Sequence, residues 1–121
     1  MSEESRSNSA TNMVASMIYV TCGSVNEARQ IGDTVVRERL AACTNIIDGM
    51  RSIYWWEGEV QESAETILIL KTAAANVPAL SARVEALHIY DVPCVVEIPL
   101  GRGNTDYFDW IIAASSGPQE H

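Results

Sequence analysis

Lysine is almost missing from this 121-residue chain: Lys71 is the only one, and no two of the seven arginines are adjacent. Against sixteen Asp and Glu, the net charge is −8. The field around the molecule repels phosphate backbones, and no basic strip exists to follow nucleic acid or an anionic membrane. No apolar run approaches the roughly 18 residues of a membrane span; the longest candidates are broken by Asp, Glu, Lys or Gly. Catalytic signatures are missing too. There is no HExxH, CxxC, Gly-x-Ser-x-Gly or phosphate loop, and Gly101-Arg102-Gly103 is too short to cradle phosphate. Histidine occurs only at 88 and 121, so a Cys–His pair has to use His88. Glu57, Glu59 and Glu62 read as solvated turn and edge residues. Nucleic acid and membrane are therefore set aside as partners, and the chain is not expected to be an enzyme.

Cys22, Cys43 and Cys94 cannot all pair within one chain, and each lies in or beside an apolar, β-branched run. Buried thiols in a reducing compartment account for them most simply. Residues 1–13 are polar, with no apolar core like that of a secretory signal, and Glu3 and Glu4 outweigh Arg6. A cytoplasmic protein is expected.

What is present suits one globular domain of 13.2 kDa, 47% of it apolar. Residues 1–13 are expected to be a disordered tail, 14–115 the domain and 116–121 a frayed end. MIYVTC at 17–22 reads as an interior strand. Ser24 and Glu27 form a capping box for a helix carrying Ala28, Ile31, Val35, Val36 and Leu40 on one face and Arg29, Asp33, Arg37, Glu38 and Arg39 towards solvent. Two long β-rich runs, 43–56 and 60–72, flank Glu57-Gly58-Glu59 and read as a hairpin, with a bulge at Asp48-Gly49. Asn76 and Pro78 start a second helix ending near His88. A last strand, 94–100, is placed at an edge or strand end by Pro99. Asn104 and Thr105 cap a terminal helix with Tyr107, Trp110, Ile111 and Ala114 on one face.

The order gives an α+β class, a ferredoxin-like βαββαβ antiparallel sandwich with a long β-hairpin and an extra C-terminal helix. Ile46, Ile47, Ile53, Tyr54, Trp55 and Trp56 put apolar side chains on both faces of the first hairpin arm. One helix layer covers only one face of a sheet, so sister chains are expected to cover the other.

Within Tyr54-Trp55-Trp56, residues 54 and 56 point one way and 55 the other, so one side packs or meets a neighbour while the other is free to wall a ligand groove. Lys71 ends an apolar run, and Glu65, on the same strand face, lies roughly 20 Å away; the ammonium finds a partner elsewhere or faces water. His88 is either a cationic cap at a helix C-terminus or, with Cys22, half of a thiolate–imidazole pair for copper or zinc, two ligands that need a third.

ERLAACTNI at 38–46, SIYWWEGEVQESAE at 52–65, ILKT at 69–72, LHIYDVP at 87–93 and GNTDYFDWI at 103–111 occur together and in order. In them the chain resembles the CutA divalent-cation tolerance family, and the likeness covers almost everything from 17 to 114. It implies a homotrimer of ferredoxin-like subunits, concerned with tolerance of copper and other divalent cations and without a securely known reaction. It also implies copper ligation by Cys22 and by His88. Leu87 stands where the family has a further histidine, Ile89 where it usually has Pro, and Cys94 where it usually has Glu. Tyr54, Trp56, Glu65, Lys71 and Tyr90 match positions near an intersubunit groove able to hold a small ligand. The resemblance makes no cofactor certain and names copper or another divalent cation as the candidate. The alternative is a ligand-sensing trimer similar in architecture to nitrogen-regulatory proteins, with a small anion or nucleotide near Lys71.

Overall fold

The computed structural model describes residues 14–117. The tail expected at 1–13 and residues 118–121 of the expected frayed end lie outside the described residues. Eight elements follow one another: β1 (Ala15–Cys22), α1 (Val25–Arg37), β2 (Cys43–Trp56), β3 (Glu59–Ala73), a 3₁₀ turn (Ala74–Asn76), α2 (Val77–Leu87), β4 (Val95–Pro99) and α3 (Thr105–Ala114). The strands form one antiparallel sheet in the order β2-β3-β1-β4. The α+β class and the element order read from the sequence are those observed. No helix among the described residues is long and apolar enough to cross a membrane.

Alternation along the strands decides where the core lies. Ile18, Val20 and Cys22 of β1 stand opposite Leu70, Leu68 and Thr66 of β3. All six are buried, under Ala28, Ile31 and Val35 of α1 and Leu80 and Val84 of α2. The opposite face carries Tyr19, Ile69, Val96 and Ile98 and is turned away from α1 and α2; α3 meets it at one end, where Tyr107 touches Cys43 and Lys71. α1 sits close against β2 because Gly32 has no side chain. A Cβ there would lie 2.4 Å from Thr44 Cγ2, and Thr44 Oγ1 donates to the Gly32 carbonyl at 3.1 Å.

Ser24 caps α1 as its pattern implies, its hydroxyl accepting from Glu27 N at 3.1 Å. The glutamate closes the box one residue further back, on Gly23 N at 2.9 Å. Asn104 likewise caps α3, accepting from Tyr107 N. Asn76 does not cap α2. Its amide donates instead to the Ser115 carbonyl and, at 3.4 Å, to Thr72 Oγ1, fastening the end of α3 to the sheet. Beyond α3, Gly117 N donates to Arg39 O at 3.0 Å.

The hairpin turn is tighter than the sequence implied. Glu57 and Gly58 alone form it, with φ of 53° and 83°, and Glu59 already pairs with Trp56. Two successive positive φ values match the twist of the flanking strands. The bulge falls at Asp48-Gly49, where the register shifts and Gly49 has φ 89°. β1 accompanies β3 only from Thr66 to Ala73. Met50–Trp56 and Glu59–Glu65 therefore leave the sheet as a two-stranded arm on which Ile53 and Trp55 are 69% and 73% exposed.

Candidate metal centre and adjoining cleft

Three element ends meet at one end of the sheet. β1 delivers Cys22 as its last residue, the first turn of α1 delivers Glu27, and the residue after α2 delivers His88. Their ligand atoms lie within 4.8 Å of one another, and all three residues are buried. Two contacts orient the imidazole. Nε2 stands 2.8 Å from the Thr21 carbonyl, which only accepts, so Nε2 carries the proton. Nδ1 accepts from Tyr90 N at 3.1 Å and faces Glu27 Oε2 at 3.4 Å. Glu27 is held from both sides, by Gly23 N on Oε1 and by Ile89 N on Oε2 at 3.0 Å. His88 is thus no solvent-facing helix cap; its side chain is turned inward.

The electrostatics of this corner are one-sided. Burial, then the carboxylates of Glu27 and Glu65, push the Cys22 thiol up to about 12. Among the described residues, no guanidinium or ammonium pairs with Glu27 or Glu65. The Tyr90 hydroxyl donates to Glu65 Oε2 at 3.1 Å, and burial followed by that bond raises it to about 12 as well. A thiol, an imidazole and a carboxylate that converge match the donor types of a borderline-to-soft metal ion such as copper or zinc; to ligate, His88 Nδ1 has to give up the hydrogen bond it accepts from Tyr90 N. Cys22 and His88 are therefore brought together, with Glu27 as the third donor their pairing needs. Sequence reasoning missed Glu27 by giving it only a capping task. The available signal was its place, one helical turn from a cysteine that ends a strand.

Tyr54, Trp56, Glu65 and Tyr90 line one cleft of about 360 Å³ beside the cluster. Asp91 and Cys94 line it too, so Cys94 faces the cleft and is not in the three-donor cluster. Lys71 is not brought there. It pairs with Cys43 and Met17 in the far half of β3, and its ammonium donates to Tyr107 Oη at 3.2 Å and lies over that ring, 5.5 Å from its centroid.

The family model for the CutA1 divalent ion tolerance protein matches residues 16–114. The "Divalent-cation tolerance protein CutA" of Thermus thermophilus is 46% identical over 95 residues, which span 78% of this chain and 92% of that protein. The rice "Protein CutA 1, chloroplastic" is 40% identical over 102 residues, 84% of this chain but only 58% of that protein's length. The solved structure of a divalent cation tolerance protein from Thermus thermophilus superposes with a TM-score of 0.80 at 44% identity, covering 84% of this chain and 98% of that one. The family model and the Thermus thermophilus relative are named for divalent-ion tolerance, and neither name carries an enzymatic activity. With the family model matching residues 16–114 and the fold superposing on a relative 44% identical, the chain belongs to the CutA1 divalent ion tolerance family.

Proposed function

We propose that the chain serves divalent-cation tolerance as a homotrimer of ferredoxin-like protomers, each taking copper or a similar soft cation weakly at Cys22, Glu27 and His88. One observation carries the reading: the three donors lie within 4.8 Å of one another, buried, and no guanidinium or ammonium among the described residues pairs with the carboxylate. Copper tops the affinity order for such nitrogen, oxygen and sulfur donors, and three protein ligands leave the ion an open position. Strand order β2-β3-β1-β4 supports the ferredoxin-like assignment. The sheet face turned away from α1 and α2, where Val96 and Ile98 stay at least 40% exposed, and the apolar arm support the assembly.

Calorimetric titration of the whole chain with Cu(II) and Zn(II) tests the cluster. Cys22→Ala and His88→Ala are each expected to weaken binding at least about tenfold, since even outer-shell changes at metal sites cost that much. Equal affinity in both variants would remove the ligand assignments.

A second reading, a ligand-sensing trimer similar in architecture to nitrogen-regulatory proteins, is favoured by the cleft that gathers Tyr54, Trp56, Glu65 and Tyr90. Its charged lining is Glu65 and Asp91, with Lys71 elsewhere. Among the described residues of one protomer, no lysine or arginine in that lining meets the anion or nucleotide of this alternative.

A further inference from the structure

We infer that the cleft beside the metal cluster takes a small organic ammonium ion. The inference rests on the reading of that cleft as a ligand pocket and names the class of ligand. Its walls are three aromatic rings, Tyr54, Trp56 and Tyr90, and its charged liners are two carboxylates, Glu65 and Asp91. Among the described residues of the same chain no Lys or Arg lines it, and none pairs with either carboxylate. Aromatic faces and carboxylates both favour a cation, and an alkylammonium presents to them a diffuse charge on an apolar frame. The volume, about 360 Å³, falls in the small-ligand range.

A bare divalent metal ion fits this space poorly. A metal needs several donors converging on one point. Among the described residues, the only group of three or more close donors is Cys22, Glu27 and His88, so Glu65, Asp91 and Cys94 do not converge. Dispersed carboxylates suit a dispersed charge. Tyr90 fixes one of them: its hydroxyl proton is committed to Glu65 Oε2, which holds the carboxylate in place and leaves the tyrosine ring as wall. The cleft adjoins the cluster through this residue, for the Tyr90 ring lies 4.6 Å from that of His88.

The test is calorimetric titration of the whole chain with three probes of one shape: choline, its neutral carbon isostere 3,3-dimethylbutan-1-ol, and the anion 3,3-dimethylbutyrate. Choline is expected to bind at least about tenfold more tightly than either, a factor within what a desolvated cation–π contact supports. Trp56→Leu and Glu65→Gln, both at partly exposed positions, are each expected to weaken choline binding by a similar factor, and Lys71→Met to leave it unchanged. Equal or tighter binding of the isostere or the anion would overturn the ammonium class while leaving a ligand pocket. No binding of any probe at millimolar concentration would overturn the pocket and the ammonium class together. Choline binding untouched by Trp56→Leu and Glu65→Gln would place it elsewhere and overturn the inference.

Discussion

At Cys22 the surroundings oppose ionisation from every side, because the thiol is buried and its charged neighbours, Glu27 and Glu65, are both negative. The folded chain keeps that proton up to about 12, whereas an unfolded cysteine gives it up near 8.5, with ordinary tyrosine following near 10. Tyr90, also pushed up to about 12, acts in the same direction. Between about pH 9 and 12 the native state therefore binds more protons than the unfolded state, and stability falls as pH rises. Below that window the contribution of both groups is fully present. Urea midpoints measured from pH 8 to 11 are expected to decline, and the decline is expected to flatten in Cys22→Ala with Tyr90→Phe; an unchanged slope would refute the assignment. Glu27 shows how a residue hides a second task. Gly23 N and Ile89 N donate to its two oxygens while it stands 3.4 Å from His88 Nδ1. Glu27→Gln turns one acceptor into an amide donor facing a backbone N–H. It is expected to lose about 1 to 3 kcal/mol in chemical denaturation, the usual cost of an unsatisfied buried group, and to weaken metal binding. The sequence displays the capping half of this residue, since Ser-x-x-Glu is a local pattern. It does not display the other half, which depends on α2 bringing His88 to the same corner.

Among the elements, the long hairpin is the most readily anticipated and the least stable by itself. Period-two patterning and a glycine-centred break show it in the sequence, and Asp48-Gly49 marks its bulge. What the sequence leaves open is the turn length, because Glu57 at φ 53° is a conformation that a glutamate seldom adopts. Asn tolerates that conformation, and Asn-Gly is the favoured pair for such a turn. Glu57→Asn is therefore expected to raise stability, by about 0.5 to 1 kcal/mol as judged from the penalty being relieved. Gly58→Ala, at φ 83°, is expected to lower it by about 1 to 2 kcal/mol. Thermal melts of the two variants shifting the same way would contradict this turn geometry. The contact of α1 with β2 is tested similarly. Gly32→Ala places a methyl 2.4 Å from Thr44 Cγ2 and is expected to cost about 1 to 3 kcal/mol by overpacking. At Asn76 a distant partner prevails over the local pattern. Its place before Pro78 is a good local capping signal, but the carbonyl of Ser115, 39 residues away, competes for its amide.

For the whole molecule, the decisive quantity is apolar surface that one chain leaves uncovered. α1 and α2 shield one face of the sheet, α3 meets the other face only towards its Lys71 end, and between Met50 and Glu65 the arm has only two strands. A two-stranded hairpin is marginal in water, yet this one carries Ile53, Trp55 and Val60, each more than half exposed. Lys71 belongs to the same question. The sequence pattern groups it with the cleft residues, yet within the chain it lies towards the other end of β3, bonded to Tyr107. Strand alternation places residues on a face and says nothing about how far along that face they act. If sister chains cover the arm, its tip is where an added charge does the most harm to assembly and the least to the fold of one protomer, because Trp55 is 73% exposed within that protomer. Sedimentation equilibrium of the unaltered chain is expected to give three times 13.2 kDa. Trp55→Asp is expected to shift the distribution towards single chains while circular dichroism keeps its sheet and helix signal. A chain that sediments as one copy at micromolar concentration, folded and with Trp55 fluorescence that of a dry indole, would mean that the arm is shielded from within, and the trimer would have to be abandoned.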